Sequence, residues 1–213
     1  MGIAAEDRNR KTLTVWRVSS VAHCTCQLAY PCDMSYRLRV AQESDIPSVR
    51  DLIRASVRAL QPEYTEGQRE AALRTVFTVD TRLVQDGTYF VCVANNGTLA
   101  ACGGWSYRKT LYGGDHQIQS ASAAKLDPAF DAAKVRAIFV HPDHARKGLG
   151  SAILKAAEEA AGEAGFRRFE MGSTLAGVPL YTLKGYRETS RLIVPVADGQ
   201  AIEVVRMEKS YDL

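Results

Sequence analysis

The sequence predicts a single α/β (α+β) domain, because strand-like and helix-like segments follow one another along a chain of ordinary composition. The chain has 213 residues, of which 46% are hydrophobic and 24% charged. This balance is typical of a globular protein with one sizeable core. Alternating apolar segments predict about six to seven strands, and segments of 3.6-residue period predict helices that flank them.

The first 33 residues differ from the rest of the chain. They show no clear hydrophobic period, and they hold three of the five cysteines, Cys24, Cys26 and Cys32. A zinc site needs four ligands at tetrahedral spacing, and no second pair stands elsewhere to complete one, so we expect no metal. We predict a disordered or loosely packed N-terminal extension over residues 1–33 and a folded domain over residues 34–213.

Charge and cysteine content limit the function classes. The net charge of +3 is too mild to demand a nucleic-acid partner. No apolar run approaches the roughly 18 to 20 residues that span a bilayer, so no membrane partner is expected. An odd number of cysteines does not make a disulfide framework in a chain of this length, which predicts a reducing, cytoplasmic location.

The front half predicts a strand, two helices and a hairpin. Residues 36–40 alternate as a strand, and Ser44, Asp45 and Pro47 mark the start of a helix that runs to about Leu60. A second helix opens at Thr65 and is expected to run to about residue 77. Two strands, over residues 88–94 and 98–106, are joined by the turn Asn95-Asn96-Gly97.

The back half begins with a long connection over residues 107–133, which we interpret as a lid over an acceptor site because loops of this length are usually functional or disordered. A strand over residues 137–140 and a helix over residues 151–163 follow. The remaining predicted strands cover residues 167–171, 188–196 and 201–209, the last two joined across a turn at Asp198 and Gly199.

Residues 136–151 form the stretch that points to a ligand. An apolar strand is stopped by Pro142, and after a basic turn Gly148 and Gly150 open an amphipathic helix. A Gly-rich turn at a helix N-terminus is an anion site, because the first N–H groups lack helical partners. The spacing excludes a P-loop, since Lys147 precedes Gly148, and a dinucleotide fingerprint, since its third small residue would be Ile153.

This stretch resembles the pyrophosphate loop of the GNAT superfamily of acyl-CoA N-acyltransferases, in which a strand ending in Val-His-Pro-Asp leads to a Gly-x-Gly turn. The matching residues are 140–143 and 146–150. A second stretch, residues 180–186, resembles the family's later signature, with Tyr181 near the cofactor sulfur and Gly185-Tyr186 closing the motif. The resemblance implies a mixed sheet whose strands splay at an acyl-CoA site, with acetyl-CoA as co-substrate.

The resemblance also implies which residues meet acetyl-CoA. Backbone N–H groups of the Gly-x-Gly turn would hold the pyrophosphate, and the strand edge would hold the pantetheine arm. The Val140 N–H would stabilise the oxyanion, and Tyr181, with an unperturbed phenol pKa of about 10, would act as general acid. The implied cofactor residues are Ile138, Phe139, Val140, Arg146, Lys147, Gly148, Leu149, Gly150, Ser151, Thr174 and Tyr181.

The general base and the acceptor site are left open by the sequence. Candidates for the base are Glu63, Asp115, His116, His141 and Glu170, or a chain of water molecules. Residues predicted near the mouth of an acceptor site are Tyr64, Gln68, Trp105, Arg108, Tyr112, Asp115 and His116. The Arg108 guanidinium is expected there to favour an acceptor that carries a carboxylate or a phosphate.

Three functions remain open at this stage. The first is an N-acetyltransferase that moves an acetyl group from acetyl-CoA to a primary amine of a small molecule by direct attack in a ternary complex. The second is a non-catalytic acyl-CoA binding or sensing module, which Ala145, Thr174 and a strand without a carboxylate favour. The third is a protein or tRNA acetyltransferase of the same fold. For the oligomeric state of the protein, we consider a homodimer beside a monomer.

Overall fold

A computed structural model describes residues 35–109 and 125–211 of the chain. Its strands are β1 (Tyr36–Val40), β2 (Tyr89–Ala94), β3 (Leu99–Ser106), β4 (Ala133–Val140), β5 (Arg168–Thr174), β6 (Arg187–Pro195) and β7 (Ala201–Ser210). Its helices are α1 (Ile46–Leu60), α2 (Glu66–Leu73), α3 (Thr81–Gln85), α4 (Leu149–Glu163) and α5 (Val178–Leu183). The predicted single α/β domain is confirmed. The N-terminal extension with its cysteine cluster lies outside the described residues.

The strands form one mixed seven-stranded sheet in the order β1-β2-β3-β4-β5-β7-β6. Every neighbouring pair is antiparallel except β4 and β5, which run parallel. One apolar cluster joins α1 and α2 to one face of the sheet through residues such as Ile53, Ala71 and Val91. Another joins α4 and α5 to the opposite face through Leu154 and Tyr181. The central strands are therefore covered on both sides.

Local sequence explains most of the element boundaries. The buried residues of α1 recur at helical spacing along one face: Val49, Leu52, Ile53, Ser56 and Val57. Thr65 starts α2 with a capping box in which its side chain accepts a hydrogen bond from the Gln68 N–H. The prediction that α2 runs to residue 77 was wrong, because α2 ends at Leu73. The chain then turns and starts α3, a helix that the sequence analysis missed, where the Asp80 side chain accepts from the Leu83 N–H.

Strands β4 and β5 separate soon after they meet, which opens the middle of the sheet. They pair only at Ala133 with Phe169 and at Lys134 with Glu170. On its other side, β4 pairs with β3 across a register shift next to Gly103, and Ala137 has a φ of 54° there. A bulge of this kind bends a strand and re-aims its backbone groups. The bulge and the missing pairing together leave a gap between β4 and β5.

Candidate active site

The Gly-rich turn before α4 presents unpaired N–H groups, as the sequence predicted. Arg146 and Gly148 have positive φ values of 62° and 77°, and α4 begins at Leu149. The Ala152 N–H donates to the Gly148 carbonyl at 3.0 Å. Because helical bonds start there, the N–H groups over residues 148–151 have no helical carbonyl to bond. They lie at the positive end of a 15-residue helix dipole, so the turn can bind an anion.

The turn is held in place by contacts with β1 and within itself. The Tyr36 hydroxyl and the His144 Nδ1 lie 2.9 Å apart. The Asp143 N–H donates to the His141 Nδ1 at 3.3 Å, so His141 stabilises the short turn after β4. The structure therefore gives His141 a structural contact and does not place it among the cavity residues, where a general base would have to stand.

A cavity of about 80 Å³ lies where β4 and β5 separate. Its walls come from β4, β5, β6, β7, α5, the end of α1 and the segment between α2 and α3. The lining residues are Gln61, Val76, Phe77, Thr78, Val135, Arg136, Ala137, Ile138, Phe139, Met171, Gly172, Ser173, Thr174, Tyr181, Val194 and Val204. Four predicted cofactor residues, Ile138, Phe139, Thr174 and Tyr181, therefore meet at one cavity.

The backbone of β4 presents a donor to this gap at Val140. The His141 N–H donates to the Ala100 carbonyl of β3 at 2.9 Å. Neighbouring residues of a strand direct their N–H groups to opposite sides, so the Val140 N–H points away from β3 and toward the gap. Val140 is not itself among the residues that line the cavity, so this N–H is available to an extended ligand that enters the gap beside it.

Tyr181 lies in the cavity wall and is 8% exposed. Its ring packs edge-on against Tyr186 with ring centroids 6.0 Å apart. Within the described part of the chain, its hydroxyl makes no hydrogen bond, and burial raises the pKa of the phenol above its usual value. Gly177 permits this packing, because a Cβ there would lie 2.8 Å from the Tyr181 ring. A protonated, unpaired hydroxyl beside a cavity is suited to proton donation.

Three residues predicted to bind the acceptor do not reach the cavity. Tyr64 is 3% exposed, donates from its hydroxyl to the Glu203 carbonyl at 2.5 Å and accepts from the Leu175 N–H at 3.3 Å. Burial raises the pKa of Tyr64 to about 12. These bonds tie the α1–α2 turn to β7 and to the turn after β5, so the structure gives Tyr64 a structural role.

Trp105 and Arg108 are also held by structural partners. Trp105 is buried and packs against Phe166 with ring centroids 5.8 Å apart. Arg108 forms two hydrogen bonds with Asp86, at 2.9 and 2.8 Å, so its positive charge is already matched. The expectation that Arg108 attracts an anionic acceptor therefore loses its basis. Asp115, His116 and Tyr112 lie outside the described residues.

The predicted carboxylate bases lie elsewhere as well. Glu170 on β5 is buried between Lys134 at 2.5 Å and Arg206 at 2.9 Å. Glu170 is therefore paired with two cations and does not line the cavity, where a general base would have to stand. Glu63 is exposed and does not line the cavity. Gln68 donates from Nε2 to the Ala201 carbonyl at 2.7 Å, which joins α2 to β7.

Arg136 and Gln61 line the cavity, although no sequence pattern predicted them there. Arg136 stands on β4 directly before the bulge, and its Nη1 lies 2.7 Å from the Asp80 Oδ2, with side chains that are 5% and 2% exposed. The start of α3 thus brings a carboxylate next to the central strand. Gln61, at the end of α1, also lines the cavity. Capping by Asp80 was the only available sequence signal, and it does not predict a partner 56 positions away.

Residues 35–109 and 125–211 contain neither a metal-binding cluster nor a membrane-spanning helix. No group of three or more His, Cys, Asp or Glu side chains in this part comes together in a way that could hold a metal ion. Nor does this part contain a helix with the length and hydrophobicity needed to cross a bilayer.

Comparison with known proteins places this geometry in a family. A family model described as the acetyltransferase (GNAT) family matches residues 51–186, which include β4, the Gly-rich turn and Tyr181. No curated protein sequence matches the chain at a significant level.

Solved structures share the fold at low sequence identity. A GCN5-related N-acetyltransferase from Rhodopseudomonas palustris is 18% identical, with a TM-score of 0.63 over 86% of this chain and 100% of its own. The PaiA N-acetyltransferase from Thermoplasma acidophilum, solved with coenzyme A, is 15% identical, with a TM-score of 0.57 over 84% and 100%. A phosphinothricin acetyltransferase from Sinorhizobium meliloti, solved with acetyl-CoA, is 19% identical, with a TM-score of 0.55 over 83% and 89%.

Proposed function

Because this chain belongs to the acetyltransferase (GNAT) family, we propose that it transfers an acetyl group from acetyl-CoA to a primary amine of a small molecule by direct attack in a ternary complex. The observation that carries the proposal is the gap between β4 and β5, which joins an anion-binding turn to a cavity containing a buried, unpaired tyrosine hydroxyl. Acetyl-CoA has a pyrophosphate, an extended amide arm and a thioester in that order. The site offers a suitable partner for each.

The turn before α4 would hold the pyrophosphate. The N–H groups over residues 148–151 supply donors, and the exposed Arg146 and Lys147 side chains supply positive charge. The amide arm would continue along β4 past Ile138 and Val140, in the position of a strand added between β4 and β5. Its thioester end would then lie in the cavity beside Phe139, Thr174 and Tyr181.

The chain's own groups would perform two of the chemical steps. A neutral amine forms a C–N bond to the thioester carbon, and the carbonyl π electrons move to oxygen, where the Val140 N–H stabilises the negative charge. Collapse of this intermediate breaks the C–S bond, and Tyr181 donates its proton to the departing thiolate. The amine's extra proton leaves to water, since none of the described lining residues carries a carboxylate.

A non-catalytic acyl-CoA binding or sensing module is the second candidate function. One observation favours it, because a cavity whose described walls lack a general base is less suited to catalysis than to binding. Thiol release from acetyl-CoA in the presence of a panel of primary amines distinguishes the two functions. Binding of acetyl-CoA without amine-dependent release would favour the sensing module.

Replacement of Gly148 by valine is expected to raise the Kd for acetyl-CoA at least about 10-fold, as one lost charge-assisted contact would. A Cβ at Gly148 meets no atom within 4 Å, so the new side chain would occupy the open space before the N–H groups. Calorimetric titration of the full chain with acetyl-CoA measures the change. Gly97→Val is the matched control, because Gly97 also has a positive φ and open surroundings but lies in the β2–β3 turn. Equal Kd values for the two variants would contradict an anion site at Gly148.

The pH profile of kcat/KM is expected to rise with the neutral fraction of the amine and to show no descending arm below about pH 9.5, since an unperturbed tyrosine ionises near 10. Burial raises the pKa of Tyr181 further, so the hydroxyl keeps its proton at all lower pH values. Initial rates of thiol release from pH 6 to 10 test this expectation. A descending arm near pH 8 that disappears in Tyr181→Phe would contradict it.

Two further expectations remain predictions. A cytoplasmic location is supported by Cys92 and Cys102, which are buried in β2 and β3 and form no disulfide with a described residue. A homodimer is testable by the mass of the protein in solution.

A further inference from the structure

Gln61 combines deep burial with a place in the cavity wall. The residue is 5% exposed and follows the last residue of α1. Its backbone carbonyl accepts hydrogen bonds from the Tyr64 N–H at 3.4 Å and from the Arg69 Nη1 at 3.2 Å. The backbone of Gln61 is thus anchored by bonds that do not involve its side chain, and the residue lines the cavity.

The carboxamide of Gln61 has an unmet hydrogen-bonding requirement. Its Oε1 is buried and has no partner among the described residues. Leaving a buried amide oxygen without a partner carries a free-energy cost. Such a cost is usually explained by a ligand or a water molecule at a functional site. Half a turn of the carboxamide exchanges its oxygen and nitrogen, so a ligand in the cavity can meet either a donor or an acceptor.

The cavity around Gln61 carries no net charge on its described walls. Arg136 is the single ionisable cation that lines them, and the Asp80 carboxylate matches it at 2.7 Å. The other lining residues are uncharged, and they include the apolar Val76, Phe77 and Val194 as well as three residues with hydroxyl groups, Thr78, Ser173 and Thr174. A carboxylate on the acceptor would lose its hydration here without gaining an unmatched cation, which is costly in a low-dielectric site. A neutral polar group would lose much less.

We propose that Gln61 selects acceptors in which a neutral hydrogen-bonding group, such as a carboxamide or a hydroxyl, stands next to the primary amine. The Gln61 carboxamide binds that group and positions the amine for attack, while acceptors with a carboxylate at the same place are disfavoured. Gln61 is a positioning residue in this account, because a carboxamide is too weak a base to take the proton. The inference rests on the proposed acetyl transfer and names the substrate class of the same cavity.

The experiment compares three amines that share one apolar body: leucinamide, leucine and isopentylamine. Their neighbouring group is a carboxamide, a carboxylate and a hydrogen atom, respectively. Thiol release from acetyl-CoA gives kcat and KM for the full chain and for Gln61→Leu, with KM expressed as the concentration of neutral amine. Comparing one amine between the two proteins removes any difference in amine basicity. The melting temperature of each protein is measured alongside.

We expect Gln61→Leu to raise the KM of leucinamide about 3- to 10-fold, the size of one neutral hydrogen bond, and to change that of isopentylamine less than twofold. Leucine should be the poorest acceptor of wild-type protein. The melting temperature should not fall, because an unpaired buried amide is replaced by an apolar side chain of similar size. A structural role would instead lower the melting temperature and affect all three amines alike.

Other outcomes overturn the inference without overturning the proposed function. Leucine used better than leucinamide, or equal KM changes for all three amines, would leave an acetyltransferase whose acceptor class is different. If no amine releases thiol, melting curves in the presence of coenzyme A and leucinamide test whether Gln61 binds leucinamide without acetyl transfer. Leucinamide that stabilises wild-type protein but not Gln61→Leu would retain the binding inference while the proposed function fails. No stabilisation of either protein would overturn both.

Discussion

Tyr181→Phe is expected to lower kcat by about 10²- to 10⁴-fold, the usual contribution of a positioned general acid. The thiolate of coenzyme A leaves less readily than the neutral thiol, and Tyr181 is the tyrosine among the described residues that line the cavity. The substitution removes one oxygen atom. No described group loses a hydrogen-bond partner, and the edge-on packing against Tyr186 is kept. The melting temperature and the Kd for acetyl-CoA should therefore change little.

Single-turnover thiol release, with the protein in excess over acetyl-CoA and the amine saturating, measures this effect, because it isolates the chemical step from product release. Tyr186→Phe is the matched control. Tyr186 is a buried tyrosine next to Tyr181 that does not line the cavity, so its loss should leave kcat unchanged. A kcat of Tyr181→Phe within threefold of wild type would show that water, and not Tyr181, protonates the thiolate.

The parts of the site that could be predicted from sequence depend on local signals. Gly148 and Gly150 at a strand-to-helix junction predict an anion-binding turn, because the unpaired N–H groups belong to the helix start itself. The position of Tyr181 relative to Gly185 and Tyr186 is likewise a property of one short helix and its end. These features need no knowledge of what packs against them.

The acceptor side could not be predicted, because it depends on contacts between residues far apart in the chain. Tyr64 is of a residue type that often binds ligands. Its hydroxyl, however, donates a hydrogen bond to the carbonyl of Glu203, which is 139 positions away in the chain. Arg108 is likewise neutralised by Asp86. Gln61 and Arg136 looked like ordinary residues of a helix end and a strand, and only the separation of β4 from β5 brings them to one cavity.

The pair of Arg136 and Asp80 gives the largest expected effect on stability. Arg136→Met should lower the free energy of unfolding by about 3–5 kcal/mol, the cost of leaving one partner of a buried ion pair without its counter-charge. Methionine matches the length of the arginine stem, so the loss of packing is small. Asp80 is 2% exposed and cannot move its carboxylate into water without disturbing the start of α3, where it accepts from the Leu83 N–H.

Urea denaturation of wild type, Arg136→Met, Asp80→Asn and the double variant tests this account. Asparagine keeps an oxygen that can cap α3 but removes the charge. The double variant should therefore be at least about 1.5 kcal/mol more stable than Arg136→Met alone, because it no longer buries an unmatched carboxylate. If the two single effects simply add, the ion pair is not what stabilises this wall of the cavity. Arg136 would then be held by its packing, and the cavity would contain a cation that an anionic acceptor could reach.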